Sequence, residues 1–333
     1  MIITFIHSLT PTMRLSALIM FISTIMAMSS TNWFCTWVGL EINMLSFIPF
    51  LTKSTKQKNM EAMCKYLIVQ AFASSIMLFS GYMAYNHYES MNIYCMILSF
   101  AFMTKMGMFP SHYWFPSVLQ SCDWAGAMIL STWQKVAPAV IMINNVKSDY
   151  TELTVFLLIS ILIGGLLGLN QTDAKTILAY SSISHMGWFL MPHICGLTYQ
   201  SWYYFIMYFA MVIPIFMMFQ VYSYKDPNMS SNILTMPTNM KFNMLLLLLS
   251  LAGLPPLSGF TPKLMVIYTV SVVLPEAAMF IVISSCLSLL FYLNLSINIL
   301  MSKKYMSYYV TMDKYVFISM IISFMFTPML YII

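Results

Sequence analysis

Charge is scarce in this sequence. Only 8% of its residues are Asp, Glu, Lys or Arg, whereas roughly a quarter of the residues in soluble domains are charged. Apolar residues make up 60% of the chain, which has 35 methionines among 333 residues. This composition excludes a soluble protein and predicts an all-α polytopic membrane protein, with residues 1–333 forming a single membrane domain.

The sequence also lacks the common cofactor motifs. Its six cysteines form no CxxC pair, and its five histidines have no spacing typical of metal ligands. Neither GxGxxG nor GxxxxGK(S/T) occurs. We therefore expect no metal site, no cofactor bound to this chain and no nucleic acid partner.

Apolar runs separated by polar or Pro/Gly-containing stretches predict about eleven transmembrane helices. They are expected near residues 12–29, 31–51, 60–84, 91–109, 124–144, 151–170, 174–192, 199–222, 241–270, 276–300 and 315–333. We interpret residues of about 12–144 and about 151–300 as two half-repeats, followed by a final helix at about 315–333.

Basic residues in the loops and at the ends of the predicted helices are distributed unevenly. If the N-terminus lies inside, the inner side of the membrane collects Arg14, Lys53, Lys56, Lys58, Lys175, Lys225, Lys241, Lys303, Lys304 and Lys314. Only Lys147 falls on the outer side. Inner loops of membrane proteins are enriched in Lys and Arg, so the sequence predicts an N-terminus on the inside.

Five charged residues lie at least one turn from the ends of the predicted helices, where each charge costs about 2.5–3.5 kcal/mol on insertion scales. They are Glu41, Lys65, Lys105, Lys135 and Lys263. Glu41 lies about 15 Å from either end of its helix at 1.5 Å per residue, too deep for a carboxylate to reach water. Lys65 follows Glu61 by four residues, so a structural ion pair explains it as well as a functional role does.

Lys105 and Lys263 each lie beside a stretch that interrupts a helix. The two stretches are TKMGMFPSHYWFP and GLPPLSGFTPK, and both contain Pro and Gly. Broken helices at membrane depth occur only where protein or cavity water receives the freed backbone groups. The breaks fall on the fourth and ninth predicted helices, which run in opposite directions, so they predict an inverted repeat with two discontinuous helices. A proline kink beside a lysine at a helix end is the simpler alternative.

Several motifs together resemble those of a known family. They are WFCTWVGLEINMLSFIPFLTK, TKMGMFPSHYWFP, TWQKVAP, LNQTDAKTILAYSSISHMGW and LAGLPPLSGFTPK, in order from Trp33 to Lys263. The chain is similar to the subunit 2 family of mitochondrial NADH dehydrogenase, antiporter-like membrane subunits of respiratory complex I. One departure is Thr176, where a second basic residue beside Lys175 is expected.

The resemblance implies a proton path through the membrane. It makes Glu41 the family's membrane glutamate, Lys65 a neighbouring lysine that modulates it, Lys105 the lysine paired with the glutamate, Lys135 the central lysine, His185 a relay position between the halves, and Lys263 the lysine of the second broken helix. Burial disfavours the charged form of lysine and a nearby carboxylate favours it. Moving a carboxylate would therefore switch a lysine between holding and releasing a proton.

The resemblance also implies the reaction and its location. As a core subunit of H⁺-translocating NADH:ubiquinone reductase, the chain would couple electron transfer from NADH to ubiquinone to proton movement. NADH, FMN, iron–sulfur clusters and ubiquinone are then carried by partner subunits, and the partners include antiporter-like siblings and membrane lipids. Abundant methionine and the lack of an Arg-rich presequence favour a mitochondrial gene product in the inner membrane, with the N-terminus on the matrix side. A bacterial plasma membrane is the alternative.

Two other functions agree with the residues alone. A free-standing cation/proton antiporter would have the same inverted repeat and the same lysines. A membrane scaffold that pumps nothing would use its buried charges as contacts between helices.

Overall fold

The computed structural model describes residues 10–52, 57–85, 91–145, 151–225 and 238–300. The helices in these ranges are α1 (Pro11–Ser29), α2 (Trp33–Leu51), α3 (Gln57–Tyr85), α4 (Met91–Met106), α5 (Trp114–Ser121), α6 (Trp124–Ser131), α7 (Trp133–Asn145), α8 (Thr151–Leu169), α9 (Ala174–Ile194), α10 (Thr198–Lys225), α11 (Thr238–Ala252), α12 (Phe260–Val273) and α13 (Pro275–Leu300). Within the described ranges, 7 helical stretches are long and apolar enough to cross a membrane. The all-α polytopic fold is thereby confirmed.

Some predicted positions lie outside the described residues. They are the final helix at 315–333 and the basic residues Lys53, Lys56, Lys147, Lys303, Lys304 and Lys314. The predicted total of about eleven helices therefore stays a prediction.

Both predicted helix breaks are present, but the boundaries around the first one were wrong. The helix expected at 91–109 ends at Met106, and the short helix α5 was not predicted. The span expected at 124–144 is divided at Thr132, whose hydroxyl donates to the carbonyl of Met128 at 2.6 Å. A hydroxyl that bonds the carbonyl four residues earlier often bends a helix. The ninth predicted helix, 241–270, consists of α11 and α12.

Local side-chain signals set the first helices. The Thr10 hydroxyl accepts from the amide of Met13 at 3.4 Å, and Pro11 follows at the first helical position. The Asn32 side chain caps α2 by accepting from the amide of Phe34 at 3.1 Å. These caps fix where α1 and α2 begin, so their start points follow from the sequence.

The chain divides into two compact units, Met1–Phe156 and Leu157–Ile333. In the first unit, α3 packs against α2, α4 and α5, while α7 packs against α1, α2, α4 and α6. In the second unit, α9 packs against α10, α12 and α13. Glu41, Lys65, Lys105 and Lys135 therefore belong to the first unit, and His185 and Lys263 to the second.

Helix α9 is the most enclosed helix of the second unit. Apart from Tyr180, its residues from Thr176 to His193 are buried. A helix buried on all sides needs no polar face, yet α9 carries Ser181, Ser184 and His185 into the interior. The second unit therefore has polar groups along its central helix.

Candidate functional site

The first helix break frees backbone carbonyls that two uncharged side chains satisfy. Helix α4 ends in a glycine cap: Gly107 has φ +73°, and the amide of Met108 donates to the carbonyl of Met103 at 2.9 Å. The indole Nε1 of Trp114 donates to the carbonyl of Thr104 at 3.1 Å. The amide Nε2 of Gln70 donates to the carbonyl of Lys105 at 3.3 Å. The break is thus stabilised without the Lys105 ammonium.

Lys105 and Lys135 both line one small cavity inside the first unit. Its other lining residues are Tyr66, Gln70, Met106, Trp114, Phe115, Leu130 and Gln134. The centre of a water molecule can reach ≈ 10 Å³ of it, which is about the minimum for a single water. Only 7% of Lys105 and 2% of Lys135 are exposed. Two lysines therefore share a polar space that admits about one water.

An aromatic ring provides a further contact for Lys135. Its Nζ lies 4.5 Å from the centroid of the Phe115 ring. An ammonium at this distance from the face of a ring is attracted by the ring's quadrupole. Phe115 lies on α5, so the short helix that the sequence did not predict contributes directly to the surroundings of Lys135.

Glu41 and Lys105 do not form the direct ion pair that the resemblance implied. Within the described residues, the Oε1 atom of Glu41 is buried without a hydrogen-bond partner, and the carboxylate acts on Lys105 and on Tyr66 only through its field. Helices α2 and α4, which carry Glu41 and Lys105, each pack against both α3 and α7. Tyr66 of α3 lines the cavity together with Lys105.

Lys65 has a different environment from the other lysines. It forms an ion pair with Glu61 one helical turn earlier, and both side chains are exposed on the surface of the unit. This is the local pair that the four-residue spacing indicated. Contacts with Glu41 or Lys105 are not among its interactions in the described part of the chain.

At the second break, the lysine itself satisfies the freed backbone. Gly253 caps α11 with φ +85°, and the amide of Leu254 donates to the carbonyl of Leu249 at 3.4 Å. The Nζ of Lys263, in the first turn of α12, donates to the carbonyl of Ala252 at 2.7 Å. The carboxyl end of a helix attracts cations because its carbonyls are exposed there. The Lys263 ammonium is therefore held by α11, across the break.

Aromatic residues connect Lys263 with His185. The Trp188 ring lies 5.7 Å from the Lys263 Nζ and stacks on Tyr204 at a centroid distance of 6.3 Å. The Nδ1 of His185 is 2.7 Å from the Tyr204 hydroxyl, and its ring lies 5.2 Å from that of Tyr208. Sequence reasoning named His185 and Lys263 but missed the three aromatic residues. In the sequence, only the aromatic content of α9 and α10 indicates these three residues, and such content is common in membrane helices.

The unexpected threonine in the family motif has a local structural role. The Thr176 hydroxyl donates to the carbonyl of Asp173 at 2.8 Å, and its side chain is buried in the first turn of α9. A lysine or arginine at this position could not be buried in the same way without a partner. Threonine at this position is therefore compatible with burial in the first turn of α9.

Known proteins resemble this chain over most of its length. Residues 30–290 match the sequence profile of the family described as NADH:quinone oxidoreductase/Mrp antiporter. The NADH-ubiquinone oxidoreductase chain 2 of Lumbricus terrestris is 34% identical over 290 residues, covering 86% of this chain and 87% of the relative. That of Dugong dugon is 40% identical over 292 residues, covering 82% and 81%. A chain of respiratory complex I from Thermus thermophilus has a TM-score of 0.81 at 20% identity, covering 96% of this chain and 77% of that one.

Proposed function

The chain belongs to the NADH-ubiquinone oxidoreductase chain 2 family, and from this membership we propose that its buried charged side chains carry protons through the membrane. It is an antiporter-like, multi-pass subunit of respiratory complex I in mitochondria. Complex I couples electron transfer from NADH to ubiquinone to proton movement. This chain is a core subunit of that NADH:ubiquinone oxidoreductase.

The observation that supports proton transfer best is the cavity shared by Lys105 and Lys135. Two positive charges that line one buried cavity would disfavour each other, because the low dielectric constant there screens them poorly. Adding a proton to one lysine therefore favours release from the other. A water molecule in the cavity would provide the path between them.

The other charged residues are assigned roles around this pair. The field of Glu41 reaches Lys105, so a change in its charge alters how readily Lys105 holds a proton. Lys65 modulates that carboxylate from the surface, His185 relays protons, and Lys263 serves the second broken helix. Moving one proton against the membrane potential requires roughly 2.3 kcal/mol per 100 mV, which is within reach of such charge changes.

The driving energy is assigned to partner subunits. NADH, FMN, iron–sulfur clusters and ubiquinone are held by those subunits, and this chain receives the energy through contacts with other membrane subunits of complex I, including antiporter-like siblings. Membrane lipids cover the remaining apolar surface. The N-terminus is placed on the matrix side because the basic residues between helices favour it.

Neutralising the two cavity lysines tests the proposal. Lys105→Met and Lys135→Met are each expected to lower coupled NADH:ubiquinone activity at least about tenfold, a loss of roughly 1.4 kcal/mol in transition-state stabilisation. NADH oxidation with an artificial acceptor should stay normal, because the electron-transfer subunits are unchanged. Lys58→Met, at an exposed position, is the matched control. Normal coupled turnover in both cavity variants would contradict the proposal.

A further inference from the structure

The second unit holds its buried histidine in direct contact with a tyrosine. The Nδ1 of His185 on α9 lies 2.7 Å from the hydroxyl oxygen of Tyr204 on α10. Only 4% of His185 and 3% of Tyr204 are exposed. Helices α9 and α10 pack directly against each other. The hydrogen bond therefore lies in the interior of the unit and is shielded from bulk solvent.

Neighbouring rings hold the Tyr204 side chain in place. The Trp188 ring, one turn after His185 on α9, stacks on the Tyr204 ring with 7° between their planes and 6.3 Å between their centroids. Tyr208, one turn after Tyr204 on α10, has its ring centroid 5.2 Å from that of His185. Residues four apart lie on one helix face, so α10 directs both tyrosines toward His185. The Tyr204 hydroxyl is thus fixed by the contacts of its ring as well as by its bond to Nδ1.

The length of the bond indicates which group donates. A neutral imidazole has one donor nitrogen and one acceptor nitrogen, so its bond with Tyr204 selects the tautomer. N–H groups donate to oxygen over about 2.9–3.0 Å, whereas hydroxyl donors form shorter bonds of about 2.7–2.8 Å. The separation of 2.7 Å matches a hydroxyl donor. This geometry favours donation from Tyr204 to Nδ1, which leaves the hydrogen of the neutral ring on Nε2.

We propose that Tyr204 is a further residue of the proton path, which holds neutral His185 as the Nε2–H tautomer and passes incoming protons to Nδ1. In this step the O–H bond of Tyr204 breaks and an Nδ1–H bond forms. A proton delivered by water makes a new O–H bond on Tyr204. His185 thereby gains one proton and Tyr204 ends neutral. The bond between the two side chains determines at which nitrogen His185 becomes charged.

Trp188 separates Tyr204 from the lysine of the second break. Its ring lies 5.7 Å from the Nζ of Lys263 on one side and stacks on Tyr204 on the other. An indole has one N–H donor and no acceptor nitrogen, so the ring does not pass protons from Lys263 to Tyr204. This inference rests on the proposed relay role of His185, and it adds the group through which the imidazole exchanges protons.

Removing the hydroxyl alone tests the inference in assembled complex I. Tyr204→Phe keeps the ring that stacks on Trp188, so the content of assembled complex and NADH oxidation with an artificial acceptor should stay normal. Coupled NADH:ubiquinone turnover should fall roughly 3- to 10-fold, as expected for the loss of one ordinary hydrogen bond. Tyr199→Phe is the matched control, because it removes an exposed hydroxyl from the same helix. Equal losses of turnover in the two variants would overturn the inference.

The tautomer of His185 is a property that a merely structural role of Tyr204 would not change. Infrared difference spectra between complexes with ordinary and nitrogen-isotope-labelled histidine show the ring bands, and the band missing from His185→Asn belongs to His185. We expect the Nε2–H form in the unmodified complex and a mixture of both tautomers in Tyr204→Phe. The Nδ1–H form in the unmodified complex would overturn the inference even if Tyr204→Phe did not assemble. An unchanged band in an assembled Tyr204→Phe complex would do the same.

His185→Asn separates the inference from the proposed function. Its amide takes the place of Nδ1 but holds no extra proton, so coupled turnover should fall. Adding Tyr204→Phe should lower the residual turnover no further, because both changes act on the same transfer; additive losses would contradict the inference. If His185→Asn lowers turnover while Tyr204→Phe changes neither turnover nor tautomer, only the inference fails. If His185→Asn leaves turnover normal, the relay role of His185 in the proposed function fails with it.

Discussion

At the residue scale, Lys105 and Lys263 differ in how they meet the backbone of their helix breaks. The carbonyl groups beside Lys105 are bonded by Gln70 and Trp114, so its ammonium remains available to the cavity. The Lys263 ammonium bonds the carbonyl of Ala252 directly. We therefore expect the two lysines to hold their protons in different environments, although both lie at a helix break.

Glu41 and Lys105 are expected to depend on each other even though they are not in contact. Glu41→Gln and Lys105→Met should each stop most proton output, because each removes one titratable group. The double substitution should lower the midpoint of thermal unfolding of complex I by less than the sum of the single changes, since no lone charge then remains buried. Proton output should stay low in all three variants. Strictly additive shifts in the midpoint would show that the field between the two residues has no energetic consequence.

Replacing Lys263 tests whether it is part of the second break. Lys263→Met removes both the charge and the bond to Ala252, and a buried carbonyl left without a donor costs about 1–3 kcal/mol. We expect lower proton output per NADH together with a lower midpoint of thermal unfolding of the assembled complex. Lys263→Arg keeps a cationic donor and should retain more of the stability. Unchanged turnover and stability in Lys263→Met would mean that the break is only a kink.

At the element scale, the two breaks are built in the same order. Each begins with a glycine of positive φ, Gly107 or Gly253, that ends the preceding helix. Each is followed by a second helical piece, α5 or α12. A residue with a Cβ is strained in this backbone conformation. The positions of glycine and proline in the sequence therefore determine where the helices end. The surrounding side chains satisfy the backbone groups that are freed there, as a membrane requires.

Substitution of Gly253 should affect the lysine beside it. A methyl group at this position would lie 2.7 Å from the Cδ of Lys263, in addition to the strain of φ +85°. Gly253→Ala is therefore expected to displace Lys263 from the Ala252 carbonyl and to lower both proton output and stability, the latter by more than about 1 kcal/mol.

Gly196 offers a matched control for that change. Its φ is +82°, and a methyl group there would meet nothing within 4 Å. Gly196→Ala should therefore show the backbone strain alone, with normal proton output per NADH. Equal loss of proton output in Gly196→Ala and Gly253→Ala would refute the proposed link between the glycine and Lys263.

At the scale of the whole molecule, the distribution of basic residues predicts the orientation in the membrane. We expect Lys53, Lys56 and Lys58 to face the matrix and Lys147 to face the intermembrane space. An amine reagent that does not cross membranes should modify the first group only in inside-out vesicles and Lys147 only in right-side-out preparations. Detergent-treated membranes, in which every site should react, serve as the control. Labelling of Lys58 from the intermembrane side would reverse the topology and contradict the predicted inverted repeat.

The sequence by itself determined the membrane fold, both helix breaks and the charged residues inside the helices. These signals are local: an apolar run of sufficient length crosses a membrane, a glycine permits a positive φ, and a charge in a span is costly wherever its partners lie. The Glu61–Lys65 pair was readable for the same reason, since its four-residue spacing places both side chains on one helix face.

Only the tertiary structure decided which side chains meet around these charges. Gln70 and Lys105, or Tyr66 and Gln134, are far apart in the sequence and meet through helix packing. The short helix α5 has too few turns to show a periodic pattern, yet it places Phe115 beside Lys135. The absence of an ion pair between Glu41 and Lys105 likewise depends on how α2 and α4 pack with their neighbours. The sequence shows which groups need partners, but the identity of those partners depends on how the helices pack together.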